Sequence, residues 1–270
     1  MRALWPVAAI TFKEGVRNRA LYGVALLALM LQAVNLLISG MIMRQVGKVA
    51  VDIALSAASF GGLLVVLFVG INLLTRDLDS KTIYSVISRP ISKCQYLLGK
   101  FFGVILVVFV SMFFLSLSSV LSIFLVKISY PNYFDRFAWT PVLLAFVMLF
   151  LMFVVLVSLS FLFASLSSAP FIAFVLTVIC YLIGHSVAEV KKLIEVGEVI
   201  GVSGLDTIQA MVGVAYYVFP NLSLFDIKLQ AAHALPISMT HVFWVTAYAL
   251  SYSAVAMLLA AFVFHRREFP

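Results

Sequence analysis

Long apolar runs alternate with short charged segments along this chain. Five runs contain no Asp, Glu, Lys or Arg, namely residues 21–43, 53–74, 101–126, 140–165 and 240–264. A helix of about 20 apolar residues crosses a hydrocarbon core about 30 Å thick, whereas a strand would leave backbone groups unpaired in lipid. These runs therefore predict five transmembrane helices.

A sixth run, residues 171–187, is shorter and carries His185 near one end. With it we predict an all-α polytopic membrane protein of six spans. The following segment, 188–200, places Val190, Leu193 and Ile194 on one helical face, which is typical of an amphipathic surface helix.

The stretch 203–219 begins like a capped helix and runs apolar to Pro220. A full crossing there would put the basic end at Arg266 on the outer side. We therefore predict a re-entrant or interfacial helix, within an outer loop that covers residues 188–239.

The first 20 residues carry too many charges for the core of a signal peptide. Leu4, Ala8, Phe12 and Val16 recur every four residues, as expected of a helix that lies in the headgroup layer. We predict an interfacial helix on the cytoplasmic side over residues 1–20, followed by the first span.

Six spans with both ends inside place eleven of the 18 Lys and Arg residues on the cytoplasmic side. Most of the acidic residues fall on the other side. Because cytoplasmic loops carry the excess of Lys and Arg, both termini are predicted to be cytoplasmic in a multi-pass protein.

Composition agrees with a membrane protein, since 64% of the residues are hydrophobic and 11% are charged. A soluble domain is nearer half apolar and a quarter charged. The net charge of +7 lies in short clusters, which favours anionic lipid headgroups over nucleic acid as the partner. Cys94 and Cys180 indicate no disulfide framework.

The longest cytoplasmic loop, residues 75–100, reads TRDLDSKTIYSVISRPISKCQYLLGK. Charged and apolar positions alternate there as in a short amphipathic helix, which would stop at the turn-forming Arg89 and Pro90. Such a helix could dock on a partner protein. A plain connector that carries positive-inside charges is the other interpretation.

This loop resembles the one between the second and third helices of ABC-2 type transporter permeases. The resemblance is carried by Asp77 and Asp79, KTIY at 81–84, SRPISK at 88–93 and LLGK at 97–100. It is greatest to the branch associated with multicopper-enzyme maturation, although Ile91 stands where members have Val and Lys93 where they have Arg. The segments ITFKEGVRNR at 10–19 and FPNLSLFD at 219–226 are similar to that family as well.

The resemblance implies a fold like that of type V ABC exporters and a role as permease subunit. It implies pairing with a second copy or a related permease, and a separate ABC ATPase subunit that binds ATP and Mg. The chain itself has no G-x-x-x-x-G-K-[ST] phosphate loop, so we expect neither enzymatic activity nor a cofactor in it. Periplasmic accessory proteins and the cytoplasmic membrane of a bacterium or archaeon also follow from the resemblance.

By the same resemblance, the N-terminal helix and the loop transmit the movement of the ATPase. The residues assigned to this coupling are Glu14, Arg17, Arg19, Asp77, Asp79, Lys81, Thr82, Arg89 and Pro90. Within the spans, the amides Gln32, Asn35 and Asn72 either line a substrate path or hydrogen-bond between helices.

Other chemistry has little support in the sequence. His185 and His241 lie near the outer ends of spans without local carboxylate or Cys neighbours, so we interpret them as interfacial histidines and predict no metal site. A secondary transporter driven by an ion gradient would usually place charges at the midplane, which the five clear runs lack. A non-transporting assembly factor stays open, as does the cargo.

The coupling assignment makes a first prediction. Asp79→Ala and Arg89→Ala are expected to lower transport-coupled ATPase activity without preventing membrane insertion, because both lie in the predicted docking loop. Hydrolysis by the reconstituted complex measures this, and unchanged coupling in both variants would contradict the assignment.

Overall fold

A computed structural model describes residues 4–41, 45–73, 92–134, 137–167, 169–200, 212–216 and 218–266, with the backbone alone at 192 and 195–200. Within these residues the chain is helical and contains no strand. The all-α prediction is confirmed.

Besides a short helical stretch at 212–216, the described residues form eight α-helices. They are α1 (Leu4–Val16), α2 (Arg19–Met41), α3 (Val46–Leu64), α4 (Lys93–Ser129), α5 (Trp139–Leu166), α6 (Pro170–Ile200), α7 (Lys228–Ala232) and α8 (Met239–Arg266). A π-helical segment, Val65–Gly70, continues α3 as far as Leu73. Short 3-10 turns occur at Pro131–Tyr133 and Leu222–Phe225.

Six of these helices, α2 to α6 and α8, are long and apolar enough to cross a membrane. They coincide with the six predicted runs but extend beyond them. Thus α4 begins at Lys93, inside the predicted loop, where the Ser92 hydroxyl accepts a hydrogen bond from the Gln95 backbone N–H at 3.3 Å. An apolar run reports the part of a helix that lies in hydrocarbon, whereas the helix itself continues into the headgroup layer.

The segment 188–200 is not a separate helix, since α6 runs from Pro170 to Ile200 without a break. Of the residues predicted to share an apolar face there, Ile194 is buried whereas Leu193 is exposed. Of the stretch 203–219, residues 212–216 are helical and 201–211 lie outside the described residues, so the re-entrant helix stays a prediction.

The core of the bundle is formed by α3 and α5. In the most apolar stretch of each helix, 67% of the residues of α3 and 72% of those of α5 are buried within the chain. The corresponding fractions are 22% for α2 and 28% for α6. Met148, Phe153 and Phe161 of α5 are completely buried. Helix α8 packs along α5, while α2 and α6 are peripheral and leave large apolar side chains for lipid.

The helix ends sort into two opposite faces of the bundle. On one face, the Lys93 ammonium at the start of α4 donates to the His265 carbonyl near the end of α8, at 3.4 Å. On the other, Gly47 at the start of α3 approaches the Tyr133 carbonyl in the α4–α5 connection. We refer to the first as the inner face and to the second as the outer face, following the predicted topology.

Glycine allows close packing where α3 crosses α4 and α5. A Cβ at Gly62 would overlap the Phe153 ring and the Met112 sulfur, so only glycine fits there. Small residues let membrane helices approach closely, which matters because lipid gives apolar contacts no advantage of their own.

Gly62→Ala should therefore lower the free energy of unfolding in detergent by about 1–3 kcal/mol, since the added methyl overpacks the core. Thermal unfolding followed by tryptophan fluorescence measures this. Gly23→Ala on α2 is the matched control, because no atom lies within 4 Å of the Cβ it would add. Equal effects of the two substitutions would contradict this packing.

Candidate functional site

The N-terminal helix is held against the start of α4 by small residues. A Cβ at Gly99 of α4 would lie 2.8 Å from Val7 and 3.1 Å from the Leu4 carbonyl, and one at Gly103, one turn later, would lie 2.6 Å from Thr11 and 2.8 Å from the Ala8 carbonyl. A side chain at either glycine would separate the two backbones. Helix α1 therefore forms a fixed part of the bundle on its inner face.

The face of α1 that packs on α4 shares Ala8 with the one that the sequence emphasised, but it is centred on smaller residues. Ala8, Thr11 and Gly15 are buried, whereas Leu4, Phe12 and Val16 are only half-buried. The spacing of large apolar residues identified the helix, but small residues make its closest contact. The signal that could have found this contact is the Gly-x-x-x-Gly spacing at 99 and 103.

The predicted coupling residues of α1 are free to meet another molecule. Glu14, Arg17 and Arg19 are all exposed at the corner between α1 and α2. The Asn18 side chain accepts a hydrogen bond from the Ala20 backbone N–H at 3.0 Å and shapes this corner. Three charges of mixed sign thus lie together at the end of a well-packed helix.

The predicted coupling residues of the loop lie outside the described residues, which stop at Leu73 and resume at Ser92. These residues are Asp77, Asp79, Lys81, Thr82, Arg89 and Pro90. Their roles stay predictions. The helices on either side of the loop are described, and the Lys100 ammonium of α4 donates a hydrogen bond to the Leu73 carbonyl of the second span.

The span amides Gln32 and Asn35 lie in a buried polar contact between α2, α3 and α4. The Asn35 amide nitrogen donates to the Ala50 carbonyl at 3.0 Å and to the Ser122 hydroxyl at 3.1 Å. The Gln32 amide nitrogen donates to the Ser119 hydroxyl at 2.7 Å. Because these groups bond across helices within one chain, their geometry favours helix packing over a substrate path.

Asn72, the third amide, has a different environment. Its side chain is exposed and donates to the Phe68 carbonyl of its own helix at 2.6 Å, next to the π-helical segment. The structure therefore does not bring Asn72 together with Gln32 and Asn35. It is the member of the predicted path set that a second molecule could reach.

A segment on the outer face fills the space between α5, α6 and α8. Leu222 and Phe225 are completely buried there, and Leu222 and the Pro220 carbonyl approach Gly184 of α6. The Asn221 backbone N–H donates to the Tyr248 hydroxyl of α8 at 3.0 Å. The FPNLSLFD segment is thus part of the core.

This segment also brings a carboxylate to His185, which the sequence had left without one. The imidazole Nε2 lies 3.5 Å from Asp226 Oδ2, and the Lys228 ammonium lies 3.3 Å from the same oxygen. The His185 ring also stacks on Tyr181. Asp226 is 41 positions from His185 in the sequence, so no local spacing could have indicated this pair, and the interpretation of His185 as an interfacial histidine stays a prediction.

In the described residues, no three His, Cys, Asp or Glu side chains come close enough to hold a metal ion. The group on the outer face consists of one histidine, His185, one carboxylate, Asp226, and Lys228, whose ammonium contacts that carboxylate. A lysine ammonium in that position competes with a cation for the same oxygen.

The fold and these surfaces define a polytopic helical membrane protein with an N-terminal helix packed on its inner face. A sequence profile described as "ABC-2 family transporter protein" matches residues 5–269. The chain therefore belongs to the ABC-2 transporter family, and it is the membrane-embedded permease of an ABC transporter. No curated protein matches its sequence significantly.

The buried Asn35 and the exposed Asn72 allow a test of whether the span amides serve helix packing or line a substrate path. Asn35→Leu should lower the free energy of unfolding by about 0.5–2 kcal/mol, because the Ala50 carbonyl and the Ser122 hydroxyl lose a donor inside the bundle. Asn72→Leu is the matched control and should leave stability unchanged. The measurement is thermal unfolding in detergent, and a stable Asn35→Leu protein would contradict the packing role.

Proposed function

We propose that this permease works as an exporter driven by a separate ABC ATPase, which docks on the inner face and hydrolyses Mg-ATP. The observation that carries the proposal is the rigid attachment of α1 to α4 beneath three exposed charges. A helix that is fixed to the bundle and charged at its free corner is suited to receive force from a soluble partner.

The contacts of α1 explain how force would reach the membrane. Thr11, Gly15 and Ala8 are buried against α4, with glycines at the crossing points, so α1 has little room to slide. A displacement of the corner at Arg17 would therefore move the start of α4. Helix α4 in turn packs on α3 and α2.

The charges at this corner suit a polar and reversible interface. Arg17 and Arg19 are exposed and lie within a few residues of Glu14. Exposed charges contribute little affinity individually but set orientation and association rate. This fits a motor subunit that must bind in one orientation and then move.

The proposal includes a second permease copy. The buried amides of one chain bond between its own helices, so they do not line a path through a single copy. The amide nitrogens of Asn35 and Gln32 donate to groups of α3 and α4, whereas Asn72 is the exposed amide of the three. A route for cargo would then form between two chains, at a surface that one copy exposes to lipid. Residues of the peripheral helices α2 and α6 are the exposed candidates.

The experiment reconstitutes the chain in liposomes with an ABC ATPase subunit from the same organism and measures ATP hydrolysis and subunit affinity. The double variant Arg17→Glu, Arg19→Glu should weaken ATPase binding about tenfold, since two exposed charges each contribute up to about 1 kcal/mol. Microscale thermophoresis of the labelled ATPase gives the dissociation constant.

Lys48→Glu is the matched control, because Lys48 lies at the start of α3 on the outer face. It should bind the ATPase as the natural chain does. The proposal fails if no ATPase binds, or if Lys48→Glu weakens binding as much as the double variant.

A further inference from the structure

Lys100 is the buried charge of the described chain. Its side chain is 2% exposed, whereas the charged residues of the α1–α2 corner are exposed. The ammonium donates to the Leu73 carbonyl of the second span, and it lies 5.8 Å from the centre of the Tyr96 ring. Burying an ammonium is costly unless its hydrogen bonds are well made. A lysine buried against the second span therefore indicates that its bond to Leu73 has a structural or functional role.

The residue that Lys100 holds is also contacted from α1. A Cβ at Gly15 would lie 3.1 Å from Leu73 Cδ1 and closer still to Val107 of α4. Leu73 is therefore held on two sides. Its carbonyl accepts a hydrogen bond from Lys100 of α4, and its side chain lies against Gly15 of α1. It is also the last described residue before the predicted coupling loop.

Lys100 lies between the two glycines that bind α1. Residues 99 and 103 share one face of α4, and residue 100 is turned about 100° from residue 99. One turn of α4 thus contacts α1 on one side and the end of the second span on the other. We name Gly15, Leu73, Gly99, Lys100 and Gly103 the inner clasp.

The clasp joins both elements to which coupling is assigned. Helix α1 carries Glu14, Arg17 and Arg19, and the other residues assigned to coupling lie in the sequence between Leu73 and Ser92. A hydrogen bond from an ammonium is stronger than one between neutral groups, and a cation is favoured at the C-terminal end of a helical segment.

We propose that Lys100 is a positioning residue that makes α1 and both ends of the loop move as one body. The proposal rests on the proposed function for its purpose, since it concerns how movement of the ATPase reaches the spans. Without the ammonium, the second span and α4 would respond to the ATPase separately.

The first experiment needs no ATPase. Hydrogen–deuterium exchange is measured on the purified chain in nanodiscs for Lys100→Met, Lys100→Arg and Lys93→Met. Lys100→Met should raise amide exchange about tenfold or more near Leu73 and at the end of α1, because a charge-assisted bond is lost. Lys100→Arg should restore protection.

Lys93→Met is the matched control, since Lys93 is seven residues earlier on the same face of α4 but is less buried. It should leave exchange near Leu73 unchanged. If Lys100→Met cannot be purified, Lys100→Gln replaces it and should raise exchange at the same two places. Unchanged exchange, or a rise that extends equally through α5 and the outer segment, overturns the proposal.

The second experiment tests coupling in the complex with the ATPase. Cys94 and Cys180 are replaced by Ser, and nitroxide labels are placed at Ile128→Cys and Leu235→Cys, which are exposed on the outer face. In the otherwise natural chain, ATP with vanadate should change the distance between the labels. In Lys100→Met, ATP binding and hydrolysis should persist while this distance change is lost.

The two experiments separate the possible failures. If the natural chain binds no ATPase, the proposed function fails, and amide exchange still decides whether Lys100 holds α1 and the loop together. If Lys100→Met keeps the ATP-dependent distance change, the positioning role is overturned while the proposed function stands.

Discussion

Lipid offers no hydrogen-bond partner, and the whole structure depends on that constraint. Backbone groups must bond within each segment, so every span is a helix. Apolar side chains gain nothing by leaving lipid for each other, so the helices associate through small residues and buried polar groups. Gly62 against Phe153, and Asn35 against the Ala50 carbonyl, are examples of these two kinds of contact.

These contacts distinguish three parts of the bundle, namely the core, the outer segment and the inner face. The core helices α3 and α5 are buried by their neighbours, and the outer segment fixes one end of α6 and α8. On the inner face, two glycines of α4 pack against α1, and the buried Lys100 between them bonds to Leu73 of the second span. An ATPase that bound there would contact a well-packed surface formed by α1 and α4, and α4 packs in turn on α2 and α3.

The candidate site could be predicted from the sequence only in part. A family pattern pointed to α1 and the loop, and Glu14, Arg17 and Arg19 are indeed exposed. The sequence did not indicate that Lys100 bonds to Leu73 or that His185 meets Asp226. Lys100 entered only as the last residue of the LLGK motif, and Asp226 is far from His185 in sequence, so neither spacing nor composition could identify these pairs.

By itself, the sequence determined the six apolar helices found in the described residues, the all-helical class and the family, because hydrophobic length and local motifs are properties of short segments. It placed the start of α4 too late and divided α6, since hydropathy marks the hydrocarbon and not the helix. Only the tertiary structure decided that Gln32 and Asn35 bond between helices, that His185 meets Asp226, and that Lys100 reaches Leu73. Those pairings depend on which faces of distant helices come together, and a single chain's order of residues does not encode that directly.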